Sequence, residues 1–366
     1  TWKPAWASAD PVWTSASLTC WWGFSKVAEV MSDLRKDPTR GQWVLVRPSG
    51  GSPPVGQACP FCPGNEGLTP PEISAYRKAG GASDGPGWSV RVIPEADPYF
   101  RIELDLAREG VGMYDKISPR GATELIVESP RHEDTPATMP KAQWEQVLWM
   151  YAERIRDLKR DLAIRDILIT RRHRQPGSRI THPYSRLIAI PIIFDEVRRK
   201  LTEAREYFQY KRRCLYCDII RQETADEARV IWETPHFVAL VPYAARAPHE
   251  AWILPRQHAC SYEEALMPER VADLASLLGG YFRALARVLG DPSFEMTLNT
   301  APNRNAKVLP GEWATVADDY HWHIEVTPQL ERLTQVGGIY VNETPPEEAA
   351  RRLREAWSQP GHQPER

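Results

Sequence analysis

No stretch of this 366-residue chain is apolar for long enough to span a bilayer, so a membrane-embedded function is not expected. An excess of one charge is also missing: 46 lysines and arginines face 48 aspartates and glutamates, a formal net charge of −2. Without a broad field the chain is not expected to bind nucleic acid or an anionic membrane, and any anion must be held by a local cluster. Cysteine is scarce, with Cys20, Cys59, Cys62, Cys214, Cys217 and Cys260 the full set. Four of the six form two C-x-x-C pairs. In a chain without a secretory signal such pairs read as metal ligands before disulfides, and a reducing, cytoplasmic location follows. Methionine is absent before Met31. Residues 1–30 carry Trp2, Trp6, Trp13, Trp21 and Trp22 without a period, and neither a charged n-region nor a clean apolar h-region. They read as an atypical N-terminal extension, upstream translation or added sequence, set aside from the fold; the alternative is an aromatic docking segment.

What is present is enough for a sizeable core: 42% of residues are hydrophobic, and the length fits two ordinary domains or one duplicated unit. Strands are expected over residues 42–48, 88–94, 101–106 and 124–129, with a Gly/Pro-rich loop over 48–57. Apolar residues at helical spacing over 143–162 (Trp144, Val147, Leu148, Tyr151, Ile155, Leu158, Leu162) predict an amphipathic helix. A short strand, 167–170, leads into a basic loop, 171–179, and then into the segment 178–191, SRITHPYSRLIAIP. Residues 195–213, without Pro or Gly, read as a connecting helix. Beyond it come strands over 230–232, 237–241, 251–254 and 295–299, a helix over 269–289 and a long polar loop over 300–319. A terminal helix, 347–357, follows Pro345-Pro346.

Two triplets stand out, His182-Pro183-Tyr184 and His321-Trp322-His323, each running into an apolar strand. On a strand, residues i and i+2 share a face, so each triplet presents its first and third side chains together, one able to bind metal and the other free to meet a substrate. The chain also repeats an order: C-x-x-C, a strand ending in Pro-x-His or Pro-x-x-His, a long helix, a short strand, then the triplet. The candidate metal ligands are Cys59, Cys62, His132 and His182 in one half, and Cys214, Cys217, His258 and His321 in the other. Each set is Cys₂His₂, which suits tetrahedral zinc in a closed structural site. A lone C-x-x-C would be weak; two, each followed by matched histidines, are specific.

These segments, with DPTRGQWVLVRP, CPFC, ELIVESPRH, CLYC, EAWILPRQH, DDYHWHIEVTPQL and GGIYVNETPPEEAA, resemble the galactose-1-phosphate uridylyltransferase family within the histidine-triad superfamily. The resemblance covers about residues 31–357 and implies an α+β fold of two duplicated histidine-triad-like halves, antiparallel sheets flanked by helices, with two structural metal sites. The halves would span 31–195 and 214–346, joined by a connecting helix over 196–213 and followed by a C-terminal helix and tail over 347–366. The activity it implies is nucleotidyl transfer between a nucleotide-sugar and a sugar phosphate, in a homodimer whose active sites are completed by the neighbouring subunit.

The chain leaves the family's pattern where the chemistry lies. The usual H-P-H-x-Q, whose third residue is the nucleophile, reads here H-P-Y-S-R, with Tyr184 and Arg186 in the altered places. A phenol with pKa about 10 is only ~0.1% ionised at pH 7, so Tyr184 acting as a nucleophile needs cations nearby. Arg186 lies on the same strand face, and Arg171, Arg172 and Arg174 in the basic loop add charge or hold phosphates bidentately. Gly177 and Ser178 remain from the family's glycine-rich approach, Glu95 stands where it tends to place an Asn that contacts the base, and Asn299 is kept in the second half. These are the expected substrate contacts, with Tyr184, Arg186 and His323 as catalytic candidates. The rival functions are a non-catalytic nucleotide-binding protein and a hydrolase or lyase on a phosphorylated metabolite.

Overall fold

The computed structural model describes residues 32–47, 58–77, 81–178, 180–306, 313–328 and 334–359. The proposed extension at 1–30 and the Gly/Pro loop at 48–57 lie outside the described residues. In chain order the elements are β1 (Asp33–Lys36), β2 (Trp43–Val46), β3 (Ser74–Arg77), β4 (Trp88–Pro94), β5 (Arg108–Val111), β6 (Tyr114–Ile117), β7 (Ala122–Val127), α1 (Lys141–Leu158), β8 (Asp166–His173) and β9 (Tyr184–Ile190). Helices α2 (Asp195–Lys211) and α3 (Leu215–Asp226) follow. Then come β10 (Val230–Glu233), β11 (Phe237–Leu240), β12 (Ala251–Pro255), α4 (Tyr262–Ala265), α5 (Pro268–Leu289), β13 (Phe294–Asn299), α6 (Val316–Asp319), β14 (His323–Pro328), β15 (Thr334–Val336), β16 (Ile339–Val341) and α7 (Pro346–Trp357).

Ten strands form one antiparallel sheet in the order β10-β11-β12-β14-β13-β8-β9-β7-β4-β3. Counted outward from the β8–β13 seam, each arm places its own strands in the same sequence: fourth, fifth, third, second, first. Smaller sheets are β2-β1-β6-β5 and the β15–β16 hairpin. None of the described helices is long and apolar enough to cross a membrane.

The pleat sorts the chemistry between two faces. One rung across the centre reads Leu187, Ile169, Leu298, Ile324 and Ile253, each directly opposite the next. These apolar side chains meet Trp144, Val147, Leu148 and Ile155 of α1 and Leu274, Leu278 and Phe282 of α5 in the main core. Each fully buried aliphatic contributes about 1.5–3 kcal/mol. The neighbouring rung reads Arg186, Thr170, Thr297 and Glu325, and must point to the other face. That face is polar.

Helix α5 starts on Pro268 and ends at Gly290 with φ +68°, a left-handed cap that glycine adopts without strain. Within it, Gly280 lets α7 come close: a Cβ there would lie 2.1 Å from the ring of Trp357, which itself stacks on Trp232. Gly280→Ala is expected to destabilise the fold by about 1–3 kcal/mol through overpacking, read as a lower urea midpoint with an unchanged slope. An unchanged midpoint would mean that α7 retreats freely.

Several elements differ from the sequence reading. Residues 101–106 are not a strand. Ile102 and Leu106 are exposed, and the chain is held there by hydrogen bonds from the Arg101 N–H to the Pro119 carbonyl and from the Gly121 N–H to the Arg101 carbonyl. The β5–β6 hairpin went unread because β5 has no buried face to create alternation. Helix α1 stops at Leu158: Lys159 is drawn instead to Glu263, 2.7 Å, and the Ala301 carbonyl, 2.8 Å, leaving Leu162 exposed. The basic loop starts later than expected, because β13 offers a pairing edge that carries β8 through Arg171, Arg172 and His173. Helix α3 opens directly on the second C-x-x-C, with Cys214 as its cap. His182 and His321 lie just ahead of β9 and β14 and not within them.

Candidate functional site

Both Cys₂His₂ sets assemble. Cys59, Cys62, His132 and His182 form one group and Cys214, Cys217, His258 and His321 the other, with the ligand atoms of each group within 4.8 Å of one another. In the first, Cys62 Sγ is 3.4 Å from His132 Nδ1 and 3.7 Å from His182 Nδ1. In the second, Cys217 Sγ is 3.4 Å from His258 Nδ1 and 3.6 Å from His321 Nδ1. The far ring nitrogens are committed elsewhere. His182 Nε2–H donates to the Ser129 carbonyl at 2.7 Å, His258 Nε2–H to the Ala317 carbonyl at 2.9 Å and His321 Nε2–H to the Pro255 carbonyl at 2.9 Å. Donation from Nε2 fixes the tautomer with a bare Nδ1 aimed at the thiols, as a metal ligand requires. Both groups could hold a metal ion.

Tyr184 opens β9, its ring edge-on to Phe61 with centroids 5.4 Å apart, in a small apolar cluster with Trp88, Leu125 and Val127. Burial pushes its phenol above the ordinary value, with Arg186 pulling the other way. Among the described residues its hydroxyl has no hydrogen-bond partner. Two positions on, Arg186 Nη2 pairs with Glu95 at 2.6 Å. The exposed ring of Tyr99 lies between two guanidinium groups, 5.9 Å from Arg186 and 5.2 Å from Arg47, and Arg47 is paired with Asp97. Burial raises the Glu95 carboxyl above its usual range, against the pull of Arg186. Nε of Arg186 and Oε2 of Glu95 are buried without partners among the described residues, so this pair leaves a donor and an acceptor unused there.

The other arginines singled out in the sequence are occupied. Arg171 faces the helices, 2% exposed, with Nε 2.6 Å from Glu128 and its guanidinium over Trp144; its place is in the core and not among substrate contacts. The alternation of β8 decides this, since successive side chains take opposite faces. Arg172 lies on the polar face, paired with Glu295, while Arg174 shares Asp291 with His173. Gly177 takes φ +76° in the turn that follows, and the Ser178 hydroxyl donates to the Ile180 carbonyl at 2.9 Å.

In the second arm His323 is fully buried and stacks on Tyr216, ring centroids 4.9 Å apart. Its Nδ1–H donates to the His321 carbonyl at 2.9 Å, and Nε2 faces Glu325 Oε1 at 3.4 Å. Burial pushes its imidazole below the ordinary value. Asn299 accepts a hydrogen bond from Lys200 Nζ at 3.0 Å, and the same ammonium pairs with Glu325 at 2.8 Å. Burial of Glu325 works against its ionisation, yet Lys200, His323 and Arg246 hold its carboxyl below the usual range. Lys200, Arg246, Asn299 and Glu325 line a cleft of about 210 Å³ between α2 and the seam of the sheet. Lys200, Arg246, Thr170 and Thr297 were missed in the sequence; only the alternation around Glu325 gave any sign of this polar face.

The comparisons with known proteins agree with this architecture. Residues 200–355 match the family model described as galactose-1-phosphate uridyl transferase, C-terminal domain. An ADP-glucose phosphorylase from Arabidopsis thaliana is 27% identical over 342 residues, 88% of this chain and 92% of that protein. A galactose-1-phosphate uridylyltransferase from Thermotoga maritima is also 27% identical, covering 89% of this chain and 98% of its own length. Among solved structures, a uridylyltransferase superposes with TM-score 0.73 at 28% identity, covering 89% and 98% of the two chains. The Arabidopsis ADP-glucose phosphorylase with bound ADP-glucose superposes with TM-score 0.68 at 27% identity, covering 88% and 98%. With this end-to-end similarity in sequence and fold, the chain resembles galactose-1-phosphate uridylyltransferases and ADP-glucose phosphorylases, with residues 200–355 matching the C-terminal domain of the former, and is consistent with a nucleotidyltransferase-like enzyme.

Proposed function

We propose that this protein transfers the nucleoside monophosphate of a nucleotide-sugar to a phosphate or sugar-phosphate acceptor, by direct displacement and without a histidine-bound intermediate. One observation supports the route above others: Tyr184, which the resemblance aligns with the family's nucleophile, stands beside Arg186, its hydroxyl without a hydrogen-bond partner among the described residues. A phenol of pKa about 10 stays protonated at neutral pH, and it serves better as a hydrogen-bond donor to phosphate oxygen than as a nucleophile. In the proposed step an acceptor phosphate oxygen attacks the α-phosphorus. The bond from that phosphorus to the bridging oxygen breaks, and the sugar phosphate leaves with the electron pair. Tyr184 and Arg186 steady the equatorial oxygens where charge builds. For this, Arg186 must exchange Glu95 for the substrate.

Pure protein incubated with a panel of nucleotide-sugars and inorganic phosphate, analysed by mass spectrometry, tests the reading; sugar 1-phosphate and nucleoside diphosphate are the expected products. Nucleotide bound tightly and returned unchanged would instead support the second reading, a binding protein without turnover, which the buried His323 and the tyrosine at position 184 favour.

The proposal extends to the frame of the site. The matched strand order of the two arms supports a duplication, with halves at 31–195 and 214–346, the connecting helix 196–213 between them and the C-terminal helix and tail, 347–366, after them. Zinc suits both Cys₂His₂ groups: with Zn–S about 2.3 Å and Zn–N about 2.05 Å, a tetrahedral S-to-N edge is about 3.6 Å. The S-to-N separations here run from 3.4 to 3.9 Å. With four protein ligands each ion would be structural, tying the C-x-x-C segments to the histidine loops. The protein is also proposed to be a cytoplasmic homodimer. Light scattering at micromolar concentration should report about twice the 41.7 kDa chain mass, and a single-chain mass alone would remove the dimer.

A further inference from the structure

A second cavity, of about 260 Å³, lies in the second arm on the helix-covered face of the sheet, opposite the face that carries Arg186 and Glu325. Its wall continues the main core. Phe237 sits directly opposite Pro255 across β11 and β12, and Trp322 shares the face of Ile324, two positions on. Pro235 and Leu266 extend this apolar lining.

The polar groups around it are few and unbalanced. Arg256 is paired with Glu233, and Asp273 is spent on the His236 backbone N–H at 3.0 Å. Arg270, in the first turn of α5, donates to the Ala265 carbonyl at 3.0 Å and to Gln257, and among the described residues it meets no carboxylate. Trp322 is 1% exposed, met edge-on by Phe237 and Tyr262, and its indole N–H is buried without an acceptor among the described residues. A buried donor is costly to leave unmade, so an acceptor from outside the fold is called for. Size narrows the choice. Drug-sized ligands occupy cavities of about 300–1,000 Å³, so this one excludes a nucleotide-sugar and suits a single ring with a short arm. Aromatic and proline walls favour an apolar ring. A guanidinium without a counter-charge and an indole N–H favour a carboxylate on it, one donor for each oxygen.

We propose that this cavity is an effector site for a small carboxylic acid with an apolar ring, its carboxylate held by Arg270 and the Trp322 indole. Trp322 separates His321 from His323, and Gln257 precedes His258, so an occupant would brace the segments that carry two ligands of the second Cys₂His₂ group. The proposal is independent of the nucleotidyl-transfer reading. Benzoate is the probe and benzyl alcohol its uncharged analogue, each titrated calorimetrically into the full chain as purified. One benzoate per chain is expected, with a dissociation constant on the order of 1 mM or below, and benzyl alcohol about 10-fold weaker or more. Arg270→Gln should weaken benzoate about 10-fold and Trp322→Phe about 3–10-fold. Arg270 is only partly buried, so its variant should keep the wild-type thermal midpoint. Indole N–H resonances read the site directly. The cross-peak missing from Trp322→Phe identifies Trp322 among the 14 tryptophans, and benzoate should move it downfield. Benzoate bound equally by wild type and Arg270→Gln would overturn the site, as would benzyl alcohol binding as tightly. A Trp322 cross-peak that stays in place while benzoate binds, or no saturation by about 10 mM, would do the same.

Discussion

Cys214→Ser is expected to release about one of two bound metal ions per chain and to unfold the second arm around α3, β12 and the Trp322 segment. Cys214 caps α3, His258 follows β12 and His321 precedes β14, so one ion would tie the start of a helix to the ends of two paired strands. Metal binding to such a set is coupled to folding, with apparent energies of about 10–16 kcal/mol in small zinc domains, comparable to the whole net stability of a typical domain, about 5–15 kcal/mol. Elemental analysis of Cys214→Ser and Cys59→Ser, each beside wild type, gives the count. Cys260→Ser is the control, because Cys260 lies outside both groups, its thiol beside the Ser261 hydroxyl and packed with Ala301, Val316 and Tyr320. A folded wild type that contains no metal after purification in metal-replete medium would end the metal proposal.

The second large effect is expected at Tyr184. Tyr184→Phe removes a single oxygen that bonds nothing in the described protein, so the fold should hold while turnover falls by ~10²-fold or more, the usual cost of losing one donor to developing phosphate charge. Intact mass of the wild type after incubation with a nucleotide-sugar should show no added nucleoside monophosphate. Tyr184→His, which restores an imidazole of pKa near 6.5, is expected to show that mass gain. Two results would reverse the assignment: a nucleotidylated wild type, or full activity in Tyr184→Phe with none in His323→Ala. Glu95→Gln adds a directional check. Freed from its carboxylate, Arg186 should bind nucleotide more tightly, and the change should vanish at high salt.

Much of the protein was legible because its signals are local. The spacing of Trp144, Val147, Leu148 and Ile155 announces α1, the Pro before and Gly after α5 mark its ends, and the repeated C-x-x-C with matched histidines names both metal groups. These signals follow from backbone periodicity, from cap conformations and from what thiol and imidazole do near one another. Which arginines meet a ligand was not legible. Arg171 and Arg172 are neighbours of the same type in the chain, yet one lies under α1 with Glu128 and the other on the polar face with Glu295. The register of β8 against β13 makes that choice, and register is set by a pairing between segments distant in sequence. The same pairing sets Thr170 beside Thr297, and the packing of α2 brings Lys200 to Asn299 and Glu325. Sequence alone showed the family resemblance, the long helices α1, α2 and α5 and the candidate ligand sets, since each is written in short patterns. The tertiary structure decided which charges are already paired, which hydroxyls stand free and which histidine is sealed, because those depend on cross-strand neighbours that no local pattern encodes.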